Sequence, residues 1–270
     1  MATPTAVCTG MTFTEGAVWF ASLNTLFFSD FTVSNFAGPS RILSFTPGGQ
    51  CQEFIPNAGT NGLVIAPDGN LLGARHGDQT LTLFNLMTKE ATVLVADNAG
   101  FAFNSPNDIA VRSDGNLYFT DPDYLRGNRA QEQPTRAYRR DPSGVLTVIN
   151  EGGNTNGITL SPDESRLYVS QLGGGNNILV FDVDASGALS ASRTFVAGVG
   201  SDGMAIDCAG NLYVTQNGVR VFSPEGQPMG TIAAPGAANV AFGGADRRTL
   251  FITATTQLLS VELAIPGLPY

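Results

Sequence analysis

The chain has 270 residues, 43% of them hydrophobic, with a mean hydropathy of +0.06, which gives length enough for a large core in an ordinary soluble fold. Charged residues make up only 14% while glycines number 32, a balance that speaks against long exposed helices and for many short strands and turns. The net charge of −9 excludes a nucleic-acid partner, which needs a positive field, and no apolar run reaches the length of a membrane span.

Taken in chain order, the elements repeat. Glu15-Gly16-Ala17-Val18 precedes the apolar run Leu26-Phe27-Phe28. Asn61-Gly62-Leu63-Val64-Ile65 is followed by the turn residues Pro67-Asp68-Gly69-Asn70 and then Leu71-Leu72. The stretch from Asn104 to Asp121 contains Asn107-Asp108, an alternating run, a Ser-Asp-Gly-Asn turn and Leu117-Tyr118-Phe119. Asn156-Gly157-Ile158, Asp202-Gly203-Met204 and Asn239-Val240-Ala241 open three further copies, which lead to Leu167, Leu212 and Leu250. Each copy reads as two antiparallel strands joined by a tight turn. Further strand-like runs follow most of them, such as 41–45 with 53–55, 80–85 with 91–96, and 177–182 with 193–196.

Anchored on the six leucines, the copies are spaced by 45, 46, 50, 45 and 38 residues. Four short strands in a repeat of this length specify a β-propeller blade. The expected fold is therefore all-β: one six-bladed β-propeller domain over residues 1–270 around a central metal channel. Residues before Met11 are expected to complete the last blade, because too few residues follow Leu258 to supply two outer strands.

In a propeller the first strand of each blade lies nearest the axis. That places Glu15, Asn61, Asn107, Asn156, Asp202 and Asn239 in a ring at the channel mouth. A single Asn-Gly or Asp-Gly is ordinarily just a turn signal; six oxygen-bearing residues in register are a site. Two carboxylates and several amides converging on an axis need a positive charge between them. Hard oxygen donors suit Ca²⁺ better than zinc or copper, and better than Mg²⁺ with its strict octahedron. The ends of the second strands, Asp30, His76, Asp121, Gln171 and Gln216, are expected at the same rim. His76, the chain's one histidine, is there a candidate for substrate contact or proton shuttling, as well as for a purely structural part. The third repeat carries an excursion, 122–134, whose Tyr124, Arg126 and Arg129 are placed to form a lid or specificity loop. Asn61, Asn104, Asp121, Tyr124 and Arg126 form the expected substrate-binding set.

The stretches EGAVW (15–19), NSPNDIAV (104–111), SDGNLYFTDPDY (113–124), NGITLSPD (156–163), SDGMAID (201–207) and AFGGADRRTLFITA (241–254) resemble the SMP-30/gluconolactonase/LRE family, most closely its bacterial gluconolactonase-like members, over nearly the whole chain. The resemblance implies a six-bladed propeller with a divalent cation, usually Ca²⁺, and hydrolysis of lactones or, in relatives, of aryl esters or organophosphates. It carries the metal-ligand role onto Glu15, Asn107, Asn156 and Asp202. Some animal members have arginine at the place of Ser105, so their sugar contacts do not transfer. Distantly related calcium lactonases have a functional histidine at a place similar to His76.

The resulting expectation is a calcium-dependent hydrolase opening a sugar lactone or similar cyclic ester. The cation would polarise the carbonyl, and Asp202 would serve as general base or nucleophile. The alternatives are an aryl-ester or organophosphate hydrolase using the same site, and a ligand-binding propeller with a structural ion. No nucleophile elbow or phosphate-binding loop competes with these. Expected partners are a small lactone and, at most, a few copies of the chain itself as a monomer or small homo-oligomer. The cysteines Cys8, Cys51 and Cys208 lack metal-ligand spacing; they read as free thiols, with a Cys8–Cys51 disulfide as the alternative. Compartment stays open between the cytoplasm and a secreted or periplasmic location reached through an upstream signal peptide.

Overall fold

A computed structural model describes residues 3–32, 40–151 and 153–268. Its strands are β1 (Thr5–Thr9), β2 (Thr14–Phe20), β3 (Thr25–Phe31), β4 (Ser40–Phe45), β5 (Gln52–Ile55), β6 (Thr60–Ile65), β7 (Leu71–Arg75), β8 (Thr80–Phe84), β9 (Ala91–Val95), β10 (Ile109–Val111), β11 (Leu117–Asp121), β12 (Arg136–Arg140), β13 (Leu146–Glu151), β14 (Asn154–Leu160), β15 (Arg166–Leu172), β16 (Asn177–Asp182), β17 (Arg193–Ala197), β18 (Met204–Ile206), β19 (Leu212–Thr215), β20 (Val219–Phe222), β21 (Pro228–Ile232), β22 (Ala237–Gly243), β23 (Thr249–Ala254) and β24 (Gln257–Glu262). They form six four-stranded antiparallel sheets, five of them built from consecutive strands. The sixth has the order β22-β23-β24-β1. As expected, the start of the chain completes the last blade.

The core lies between blades. Each of six hydrophobic clusters fills one gap. Phe20, Phe27 and Ile42 of blade 1 meet Leu63, Leu71 and Phe84 of blade 2, and Trp19, Phe28 and Phe45 of blade 1 meet Phe251 and Leu258 of blade 6. The remaining four clusters fill the gaps from blade 2 to blade 6 in turn. Sheets packed on both faces need nearly continuous apolar middle strands, which explains runs such as Leu26–Phe28 and Leu117–Phe119.

Ring closure settles the cysteines. β1 is the outer strand of blade 6, and Cys51 immediately precedes β5, the outer strand of blade 1. The two edges meet, and Cys8 and Cys51 form a disulfide with a Cα–Cα distance of 6.0 Å. The reading of these two as free thiols is corrected; Cys208 is free and exposed.

Candidate active site

In blades 1, 2 and 4 the first strand delivers its polar residue at a break in pairing, whereas Asn107 and Asp202 lie just ahead of β10 and β18. In those three blades the register with the second strand slips between Glu15 and Val18, Thr60 and Leu63, and Thr155 and Ile158. Such bulges twist the strand and re-aim the side chain, here toward the axis. The glycine that follows the ring residue has a steric cause. Gly62 N–H donates to Asn107 O at 2.6 Å, and a Cβ on Gly62 would lie 2.5 Å from that oxygen and 2.7 Å from Asp108 Oδ1. Gly203 N–H donates likewise to Ala238 O at 2.6 Å, and its Cβ would lie 2.3 Å from Asn239 Cγ.

These contacts correct the ring. Asn107 and Ala238 occupy the same place in their blades, accepting from the glycine of the preceding blade. Asp108 N and Asn239 N also correspond, accepted by Thr120 Oγ1 and Thr253 Oγ1 at 3.1 and 2.9 Å. Asn239 therefore lies one residue farther along than expected, at the place in blade 6 that Asp108 holds in blade 3. The mouth ring is Glu15, Asn61, Asn107, Asn156 and Asp202, with Ala238 as its sixth member. Asp108 and Asn239 form a second tier, each against a glycine of the neighbouring blade. Asp108 Oδ1 accepts from Ile109 N at 3.1 Å and Oδ2 from Ile158 N at 3.3 Å, which ties blade 3 to blade 4.

A set of hydroxyls behind the ring was missed by sequence reasoning. Ser29, Thr120, Ser170, Thr215 and Thr253 end otherwise apolar second strands and are buried. Ser29 Oγ donates to Asn61 O at 2.6 Å, Ser170 Oγ to Ser201 O at 2.8 Å, and Thr215 Oγ1 accepts from Gly203 N at 2.9 Å. They fix the backbone that carries the ring. The signal was in the sequence: a hydroxyl interrupting each apolar run just before Asp30, Asp121, Gln171, Gln216 and Ala254.

Asn156 Nδ2 donates to Asp202 Oδ1 at 2.8 Å, and the Glu15 and Asp202 carboxyls lie close enough to shift one another's titration. Burial, then the Asp202 charge, pushes the Glu15 carboxyl well above the usual carboxylate range. Burial raises Asp202 to about 6 against the pull of Asn156 and Glu15, and raises Asp108 to about 7, with Asp202 adding to the shift. Three carboxyls so placed can all ionise only with a cation among them; without one, at least one of them holds a proton. Among the described residues no three His, Cys, Asp or Glu side chains alone are arranged to hold a metal. The ring instead offers Glu15 and Asp202 together with the Asn107 and Asn156 amides, a hard, all-oxygen set with two charges that fits a cation such as Ca²⁺.

The ring forms the floor of a pocket of about 380 Å³, walled by Phe13, Phe31, Tyr124, Leu125 and Leu172 and bordered by Gln216. Tyr124 is 41% exposed; burial of its ring and the Asp202 charge raise its hydroxyl pKa. The other expected contacts lie behind this wall. Asp121 is fully buried and accepts from Asn104 N, Asn104 Nδ2 and Ser105 N at 2.9, 3.1 and 2.8 Å, so Asp121 and Asn104 shape the approach to Asn107 without lining the pocket. Asp30 accepts from Thr12 N and pairs with Arg41. His76 packs on Phe31 with ring centroids 4.7 Å apart, and burial, then Arg129 and Arg75, hold its pKa down to about 4.

Arg126 and Arg129 do not line the pocket. Arg129 donates to His76 O, Gly77 O, Leu125 O and Arg126 O at 2.7, 2.8, 3.0 and 2.9 Å, and Arg126 donates to Arg129 O. Arg129 fastens the 122–134 loop to blade 2 and Arg126 bonds within the loop, which in turn presents Tyr124 and Leu125.

The profile of the SMP-30/gluconolactonase/LRE-like region matches residues 13–256. The chain belongs to this family. A gluconolactonase of Zymomonas mobilis is 34% identical over 291 residues, covering 95% of the chain and 80% of that protein. The solved structure of a gluconolactonase from Xanthomonas campestris superposes with a TM-score of 0.87 at 31% identity, over 97% of this chain and 89% of that one. A calcium-binding protein, regucalcin, from Agrobacterium tumefaciens shares the fold, with a TM-score of 0.79 at 19% identity over 96% and 92% of the two chains. Among the described residues no helix is long and apolar enough to cross a membrane.

Proposed function

We propose that the chain is a lactone hydrolase whose mouth ring holds a divalent cation, Ca²⁺ by its donor set, on Glu15, Asn107, Asn156 and Asp202. The observation that carries this reading is the Glu15–Asp202–Asn156 cluster at the floor of an open, partly apolar pocket. Kinship to the gluconolactonases of Zymomonas and Xanthomonas supports the substrate class. A cation bound there supplies positive charge where an ester carbonyl develops negative charge.

The chain's own residues do the rest. Phe13, Phe31, Leu125 and Leu172 take the apolar faces of the ring and exclude water from all but the attacking position. Asp202 faces the pocket and accepts the proton of the attacking water, with Asn156 fixing one of its oxygens. A bond forms between water oxygen and the acyl carbon, the ring C–O bond breaks, and the proton taken by Asp202 passes to the released alkoxide oxygen, which becomes the hydroxyl. The product is a hydroxy acid. His76, packed behind Phe31, is assigned no proton transfer.

The test is a pH-stat assay of glucono-δ-lactone hydrolysis with metal removed by EDTA and Ca²⁺ restored. The expected result is turnover above the spontaneous rate that falls on chelation and returns with Ca²⁺. A metal-loaded protein that does not exceed the spontaneous rate on any of a panel of sugar and aliphatic lactones overturns the reading.

A further inference from the structure

Beside the mouth lies a second, larger depression of about 580 Å³, lined by Asp123, Gln131, Thr135, Asn154, Gln171 and a glycine wall at 173–174. It shares one lining residue with the catalytic pocket, and two more of its residues are close in sequence to residues of the mouth. Leu172 lines both spaces, Asp123 adjoins Tyr124 of the mouth, and Asn154 precedes the ring residue Asn156 by two positions on β14. The groove therefore runs outward between the 122–134 loop and blade 4, and anything leaving the mouth over Leu172 enters it.

The two spaces differ in chemistry. The mouth has aromatic and aliphatic walls above the oxygen ring. The groove has no aromatic side chain and no Lys, Arg or His among its lining residues; it presents amides, a hydroxyl and one carboxylate. Its far wall is set back, because at Gly173 and Gly174 nothing lies within 4 Å of where a Cβ would stand. On its floor Asn154 Oδ1 is buried without a hydrogen-bond partner, an acceptor that a hydroxyl-bearing ligand would satisfy after rotation of the amide. Such a surface suits a neutral ligand dense in hydroxyls. A phosphate, sulfonate or carboxylate there would face Asp123 with no counter-charge.

We propose that the groove seats a second sugar ring, so that the substrate class is the lactone of a disaccharide acid: an aldonolactone bearing a neutral hexosyl group. The lactone ring sits over the oxygen ring in the mouth, and the hexosyl group extends over Leu172 against Gln131, Thr135, Asn154 and Asp123. This rests on the lactone-hydrolase reading above and narrows it.

The experiment compares initial rates on cellobiono-δ-lactone and glucono-δ-lactone for the parent protein and for Gln131→Trp, which fills the groove from an exposed position. The ratio of kcat/KM values, disaccharide over monosaccharide, is expected to exceed one in the parent and to fall by about tenfold in Gln131→Trp, the scale of discrimination that a single pocket contact supplies. A parent ratio at or below one, or a ratio that Gln131→Trp leaves unchanged, overturns the assignment. If neither lactone is turned over, the hydrolase reading fails instead, and calorimetric binding of neutral cellobiose decides the groove. Binding weakened in Gln131→Trp keeps the subsite, and binding absent or unaltered removes it.

Discussion

Asp202 serves as both a proposed cation ligand and the proposed proton acceptor, whereas Glu15 serves only as a ligand. Asp202→Asn and Glu15→Gln each remove one of two ring charges and should each weaken metal binding. Saturating Ca²⁺ is expected to restore much of the Glu15→Gln rate and to leave Asp202→Asn lower by roughly 10²–10⁴, the usual worth of a general base. The measurement is lactone hydrolysis against Ca²⁺ with bound metal quantified; a fully loaded Asp202→Asn running at the parent rate makes Asp202 a ligand alone. His76 carries a different consequence. Its folded pKa of about 4 lies below the ordinary 6.5, so the unfolded chain binds the extra proton first. The stability this buried neutral ring contributes is complete above pH 6.5 and is lost as pH falls toward 4, up to about 3 kcal/mol. Urea midpoints should drop less steeply over that window in His76→Gln than in the parent; parallel curves would refute the assignment. At this scale the sequence was legible where the blade frame is regular, at Glu15, Asn61, Asn107, Asn156 and Asp202. It misled at Asn239 because blade 6 needs twelve residues from Ala238 to Leu250 where other blades use ten or eleven, and spacing alone cannot show which carbonyl a glycine reaches. It left Asp108 without a place, since only the packed structure shows a side chain filling the space over Gly62.

Among the elements, the 122–134 loop is the one whose residue types pointed to a site and whose contacts point to a fastening. Arginines in a long loop at a channel mouth read naturally as ligand contacts, yet Arg129 spends its donors on four backbone carbonyls. The sequence could not show this, because carbonyl acceptors are present at every residue and leave no compositional trace. Arg129→Met should loosen the loop and displace Tyr124 and Leu125 from the mouth. KM is expected to rise about tenfold, in line with the loss of charge-assisted bonds, with metal content unchanged. Lost metal with KM intact would place Arg129 in support of the ring instead. The strand pattern itself was read closely: 177–182 is observed with those bounds, and 193–196 gains one residue. Such strands are short, apolar and bounded by turn residues, so local chemistry suffices to find them.

For the molecule as a whole, the six blades are joined in a circle by six interchangeable gaps, and the one seam between the first and last blades carries the Cys8–Cys51 bond. With a sequence separation of 43 between the cysteines, chain-entropy reasoning gives it about 4 kcal/mol. Reduction, or Cys51→Ser, is therefore expected to lower the unfolding temperature by on the order of 10 °C; an unchanged Tm would mean that the β1–β24 pairing holds the seam unaided. The pairing of these cysteines was not readable from their spacing, since it depends on which sheet edges meet once the circle closes. The carboxyl-rich mouth also bears on the release of product. On the proposed reading a neutral lactone enters a chain of net charge −9, but the hydroxy acid that forms is an anion, released beside Asp202 at the pocket floor. Repulsion from the surrounding charge drives it outward, so product departure is assisted by the acidic surface. Added salt, by screening that repulsion, should deepen inhibition by the aldonate while leaving entry of the uncharged lactone untouched.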